Sequence, residues 1–218
     1  MEVMSVITNI VMDFDNVIVN WDYWLQVKLL NVCKYAEHHL GYKNFHKTLW
    51  RLHKEKSIYY KWIFRDALRE LGLDESIESH LYSYMVKSHV DDIVIDGFYK
   101  FLDWALTNDK VIYILTNGYE ATHSSRIKAL GLDNLMVKYC GGTKHPKPSG
   151  YWLNKWGLEP KNTIMIGDDT RDVIYPYYAG YHCIYFQPTA IDIPVDACYN
   201  YEEVKKYIEE IDNVLLKL

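Results

Sequence analysis

Residues 6–12 read VITNIVM and run directly into DFDNV at 13–17. The first stretch is rich in β-branched residues, and Asp13-Phe14-Asp15-Asn16 ends it abruptly. The pair reads as a buried strand opening into a polar loop. From about Asp22 the period changes. Trp21, Leu25, Leu29, Val32, Ala36 and Leu40 recur every three or four residues until Gly41, the spacing of a helix with one apolar face. Further helices are expected over 44–54, from Ser57 as N-cap to Leu71 with Tyr60, Ile63, Ala67 and Leu71 on one face, and over 75–88. The next strong strand is Val111–Leu115. Roughly 70 residues of helix thus stand where a strand–helix–strand crossover needs about a dozen, so an inserted helical domain is expected. Its limits are placed at 17–93, with the core at 1–16 and 94–218.

After the insertion the rhythm is regular. A helix over 98–106 precedes the strand 111–115, and a helix over 120–130 precedes a weaker strand at 135–140. A short helix at 150–156, a strand at 163–166, a helix at 171–179, a strand at 182–186 and an amphipathic helix at 202–218 follow. Val204, Ile208, Ile211, Leu215 and Leu218 lie on the buried face of the last one. Strands alternating with helices imply a Rossmann-like parallel sheet covered on both faces, with strand order 5-4-1-2-3 in chain numbering.

The composition allows this. Apolar residues make up 49% and charged residues 24% of the 218 residues, a globular balance over a length sufficient for a core and an insertion. The net charge of −5 and the absence of any basic stripe argue against nucleic acid as a partner. No stretch approaches the roughly 20 apolar residues of a membrane span, so no membrane partner is expected. No secretory signal is visible, and Cys33, Cys140, Cys183 and Cys198 form no C-x-x-C pair. Reduced thiols in a cytoplasmic protein are therefore expected.

Four strands end in chemistry: Asp13-x-Asp15 after the first, Thr116-Asn117-Gly118 after the second, Lys147 in HPKP after the third, and Gly167-Asp168-Asp169-x-x-Asp172 after the fourth. Each alone suits a turn, a cap or an exposed loop. Right-handed crossovers, however, bring all four strand ends to one edge, where open α/β sheets bind ligands. Several carboxylates in one crevice raise one another's pKa or need a cation; a hard cation taking oxygen ligands is the simplest solution, and few protein ligands suit Mg²⁺. A hydroxyl, amides and a lysine beside it are what a phosphate group needs. The expected activity is phosphoryl transfer.

With DFDNV at 13–17, LTNG at 115–118, KP at 147–148 and GDDTRD at 167–172, in that order over nearly the whole chain, the sequence resembles the haloacid dehalogenase-like superfamily in its phosphatase branch. The insertion resembles that superfamily's helical cap. The resemblance implies Asp13 as nucleophile, forming an aspartyl phosphate, and Asp15 as acid and base. It implies Thr116 and the Asn117 amide as phosphate ligands, with Lys147, rather than Lys144, as balancing charge. It also implies Mg²⁺ held by Asp13, Asp168 and the main-chain carbonyl of Asp15. Asp172 would orient Lys147 or metal-bound water, and Asp169 stays open between ligand and helix cap. The acid role asks for a raised pKa at Asp15, which a crowded acidic site can supply. Two departures stand out: Asn16 replaces the usual Gly, and Asn tolerates positive φ; the link between the second and third motifs is short.

The expected function is hydrolysis of a small phosphorylated metabolite. A phosphomutase on the same scaffold and a catalytically silent binding protein are the alternatives. The cap is expected to set specificity through Trp21, Trp24, His46, His53, Tyr59, Tyr60, Trp62 and Arg65, any of which also suits cap core.

Overall fold

The computed structural model describes residues 6–56, 60–87, 91–188 and 194–215. The chain divides into two compact units, Met1–Asn20 with Ile93–Leu218, and Trp21–Asp92.

The first unit is built on a six-stranded parallel sheet. Its strands are β1 (Asn9–Met12), β2 (Val111–Thr116), β3 (Met136–Tyr139), β4 (Thr163–Gly167), β5 (His182–Phe186) and β6 (Asp196–Cys198). The spatial order is β3-β2-β1-β4-β5-β6. This is the expected 5-4-1-2-3 order with one strand added at the β5 edge. That strand has three residues and a composition, Asp-Ala-Cys, without β-branched side chains, so nothing in its pattern marked it.

The strands' period of two separates two cores. Ile10, Met12, Ile112, Ile114, Ile164, Ile166, Ile184 and Phe186 share one, with residues of α5 (Phe98–Thr107), α6 (Glu120–Ala129) and α9 (Tyr201–Leu215). Val11, Leu115, Met165 and Cys183 share the other, with residues of α7 (Tyr151–Lys155) and α8 (Thr170–Tyr178). In α9, Val204 and Ile208 are buried and Ile211 partly so. The Leu215 side chain and Leu218 lie outside the described residues.

The core begins its insertion later than the sequence pattern suggested. Val17, Ile18 and Val19 are fully buried among the sheet's own side chains. Val19 bridges to Val94, and the Asn20 amide donates to the Ile93 carbonyl. The boundaries therefore fall after Asn20 and before Ile93 instead of at 17 and 93.

The second unit packs α1 (Trp21–His39), α2 (Phe45–Lys56), α3 (Tyr60–Glu70) and α4 (Glu78–Lys87) around Leu29, Val32, Phe45, Leu49, Phe64 and Leu81. Ile63 and Ala67 of α3 are buried as the spacing implied. Ser57, the expected N-cap, lies outside the described residues, as do Tyr59 and the side chain of Tyr60. Lys28 is buried and donates to the Met85 carbonyl near the end of α4. Trp21 and Trp24 stack at 4.7 Å. Arg65 pairs with the buried Glu78, and His46 with Glu37. His53 stands edge-on to Trp50, while Trp62 is exposed. Most of the side chains marked for specificity are thus occupied within this unit.

One contact fastens the loop after β1 to the far end of the chain. Tyr201, buried at the start of α9, stands against Phe98, Phe101 and Phe186, and its hydroxyl donates to the Val17 carbonyl at 2.5 Å. Tyr201→Phe keeps the ring and orphans that carbonyl. It is expected to lower the unfolding free energy by about 1–3 kcal/mol, read from the denaturant midpoint at unchanged m-value. An unchanged midpoint would show that the bond carries no load.

Candidate active site

The register of the sheet levels the chemistry. Met12 pairs with Ile114 on one side and with Ile166 on the other. The residues that follow, Asp13, Leu115-Thr116 and Gly167-Asp168, therefore emerge together at the carboxyl edge. The Asp13 amide still donates to the Ile166 carbonyl at 3.0 Å, so the first carboxylate leaves the sheet from a fixed point.

Lys147 is the centre of the cluster. Its ammonium is buried and lies 2.8 Å from Asp13 Oδ1 and 2.7 Å from Asp172 Oδ1. Burial alone would lower its pKa, but the two carboxylates outweigh burial and keep it above the ordinary lysine value. Lys144, three residues earlier, is exposed. The loop holding Lys147 is tied to the second motif, because the Asn117 Oδ1 accepts from the Lys147 amide at 2.9 Å. Thr116 is buried at the end of β2, and its hydroxyl oxygen accepts from the Gly118 amide at 3.0 Å.

Asp13, Asp168 and Asp172 each offer a carboxylate oxygen, and the three lie within 4.8 Å of one another. Burial pushes the Asp13 carboxyl well up; Lys147 opposes this, while Asp172, Asp168 and Asp15 add to it. Burial, with the charge of Asp172, raises Asp168 to about 7, against a hydrogen bond from the Asn16 side chain. One lysine does not neutralise three close acids. The oxygen-only donor set and the elevated carboxyls fit a hard divalent cation. The residues that would hold it are Asp13 and Asp168, with Asp172 within reach as well as paired to Lys147. Asn16 has φ 56°, so it makes the left-handed turn that a glycine would otherwise make.

Asp169 is a helix cap. Its side chain accepts from the Arg171 amide at 2.8 Å and pairs with the Arg171 guanidinium, while Asp172 Oδ2 takes the Asp169 amide at 3.3 Å in a capping box. Asp172 thereby serves both the helix start and Lys147.

Asp15 departs from expectation. Its side chain is not among the three clustered acids; Oδ1 takes Arg126 Nη1 at 3.1 Å and Oδ2 meets His123 Nε2 at 3.0 Å. Burial would raise its pKa, but the hydrogen bond and charge of His123, together with those of Arg126, hold it below the usual carboxylate value. The raised pKa expected from acidic crowding is therefore corrected: two basic neighbours outweigh burial and lower it. Neither His123 nor Arg126 was marked in the sequence. The signal was present, since they stand three apart on the helix that follows Thr116-Asn117-Gly118 and share its inward face.

Comparison with known proteins agrees with this geometry. Residues 10–186 match the haloacid dehalogenase-like hydrolase family, and the chain belongs to it. A phosphoglycolate phosphatase from Haemophilus influenzae is 30% identical over 76 residues, covering 32% of this chain and 34% of that protein. The chain thus aligns with about a third of the length of that curated relative. Two solved hydrolases of the superfamily share the fold. One from Bacillus subtilis, bound to magnesium, has a TM-score of 0.69 at 19% identity over 94% of this chain and 99% of that one. One from Xanthomonas campestris has a TM-score of 0.69 at 16% identity over 98% and 100%. No helix among the described residues is long and apolar enough to cross a membrane.

The raised acid Asp168 has a measurable consequence in the metal-free protein. A carboxyl whose folded pKa lies above its unfolded value binds protons more tightly when folded, so stability falls as pH rises from the usual carboxylate range through about 7. Added Mg²⁺ replaces those protons. It should raise the melting temperature clearly at pH 8 and little at pH 5. A thermal shift of equal size at both pH values, or none at either, would count against cation binding at this cluster.

Proposed function

We propose that this protein is a magnesium-dependent phosphomonoester hydrolase, working on a small phosphorylated metabolite through an aspartyl phosphate on Asp13. The observation that carries the reading is the Asp13–Lys147–Asp172 bridge beside Asp168, at the carboxyl edge of the sheet.

Each group has a task. Asp13 Oδ1 is held by the Phe14 amide at 2.7 Å and by Lys147. Oδ2 is accordingly the oxygen assigned to attack phosphorus. As the Asp13–phosphorus bond forms, the ester oxygen–phosphorus bond breaks, and the leaving alkoxide takes a proton from Asp15. Water then attacks the phosphorus of the acyl phosphate and gives a proton to Asp15. Inorganic phosphate departs and the Asp13 carboxylate is restored, so the cycle closes with Asp15 protonated as it began. Thr116 and the Asn117 main-chain amide donate to phosphoryl oxygens, and Lys147 offsets charge on the nucleophile and on the phosphoryl group. Asp13 and Asp168, with Asp172 within reach, would hold a Mg²⁺ ion, which would supply positive charge beside the phosphoryl group and relieve the repulsion among the three acids.

The pairing of Asp15 favours its carboxylate form, which suits the second step better than the first. The partial likeness to phosphoglycolate phosphatases makes phosphoglycolate one of the first esters to offer in a screen of phosphorylated metabolites.

Phosphate release should vanish in excess chelator and return with Mg²⁺, and Ca²⁺ should restore it poorly because it prefers more ligands at longer distance. Asp13→Asn should abolish turnover. Asp15→Asn should slow alkyl phosphates by about 10²–10⁴-fold while sparing the first step with p-nitrophenyl phosphate, so that phospho-enzyme accumulates. Acid quench and mass spectrometry locate the label. Turnover persisting in chelator or in Asp13→Asn, or a label on Asp15, would refute the assignment.

A further inference from the structure

The mechanism above leaves two buried basic side chains on α6 without a task. Arg126 and His123 are each under a tenth exposed, among few polar residues buried to that degree. Together they take one oxygen each of the Asp15 carboxylate, at 3.1 and 3.0 Å. They also grip the residue between the two acids of the first motif. The Arg126 guanidinium lies 4.9 Å from the Phe14 ring centre, and the His123 ring meets Phe14 edge-on at 5.8 Å. The phosphate-binding loop is shaped around the same histidine. A Cβ on Gly118 would stand 2.3 Å from the His123 imidazole, so only glycine leaves room for the ring.

We propose that Arg126 and His123 are positioning residues for Asp15, a cradle on α6 that sets the direction in which its carboxylate exchanges protons with the leaving group and with water. The inference rests on the phosphatase reading and deepens it. An anchor for α6 needs only apolar contact, and burying a guanidinium for that purpose is costly. Two basic side chains, one against each oxygen of a single carboxylate, fix its plane, which packing alone does not. His123 also joins the acid to the loop that binds phosphate, so the proton donor and the phosphoryl pocket are held by one side chain. A carboxylate held this way exchanges one contact for each proton it gives or takes, and returns to the same place.

The test is a cycle of Arg126→Met and Asp15→Asn, assayed with Mg²⁺ on p-nitrophenyl phosphate and on the best alkyl phosphate of the screen. Arg126→Met should lower kcat on the alkyl ester by about 10–100-fold, a part of what acid–base catalysis contributes, with KM little changed. The p-nitrophenol burst, which needs no acid, should be spared. Arg126→Lys should recover part of the loss. In the Asp15→Asn background, Arg126→Met should cost little more, because it acts through Asp15. Equal losses on both esters, or losses that multiply in the double variant, would reduce Arg126 to a structural anchor and overturn the proposal. Should Arg126→Met fold poorly for want of a partner for Asp15, the double variant and Arg126→Lys still decide. If the unsubstituted protein releases no phosphate from any ester, the phosphatase reading fails. The cradle then has no proton exchange to direct, and the proposal falls with it.

Discussion

The bridge from Lys147 to Asp13 and Asp172 is the interaction on which the rest of the carboxyl edge depends. It joins the end of β1 to the first turn of α8 through a residue that comes from neither. Buried acids repel one another strongly at these distances, and a buried ammonium between them offsets part of that repulsion. The bridge is in turn held by backbone amides: the Lys147 amide donates to Asn117, and the Asp169 amide donates to Asp172 in the capping box. The charges are placed by donors fixed in the main chain, so the site is organised before any ligand arrives.

The two carboxylates of the first motif, two residues apart, live in opposite surroundings. Asp13 looks toward acids and a single lysine; Asp15 looks toward an arginine and a histidine. Phe14, fully buried between them, keeps the sides apart. That separation gives two chemically identical side chains opposite electrostatic settings, which the sequence, where both are simply aspartates after a strand, does not distinguish.

Much of this was legible in the sequence because the chemistry follows β-branched runs. VITNIVM, VIYIL and TIMI announce buried parallel strands, and the polar groups after them must then share one edge. What escaped had weaker local signals. The added sixth strand is short and lies at the edge of the sheet, where register rather than composition makes a strand. The start of the insertion was misplaced by a few residues because Val17-Ile18-Val19 is as apolar as the start of a helix. The partners of Asp15 escaped because a histidine and an arginine on a helix usually face solvent, and only the tertiary fold turns them inward.

Asn16 shows how tightly such an edge can be specified. The turn after Asp15 needs a left-handed residue, and glycine would make it with the least strain. Glycine would also leave Asp168 without the amide that steadies its charge from the side. The asparagine accepts a small backbone strain and in exchange lets the shape of one loop report on the ionisation of another. Any change of charge at Asp168, whether a proton leaves or a cation binds, is felt first at the Asn16 side chain, and through it at the peptide that joins Asn16 to Asp15.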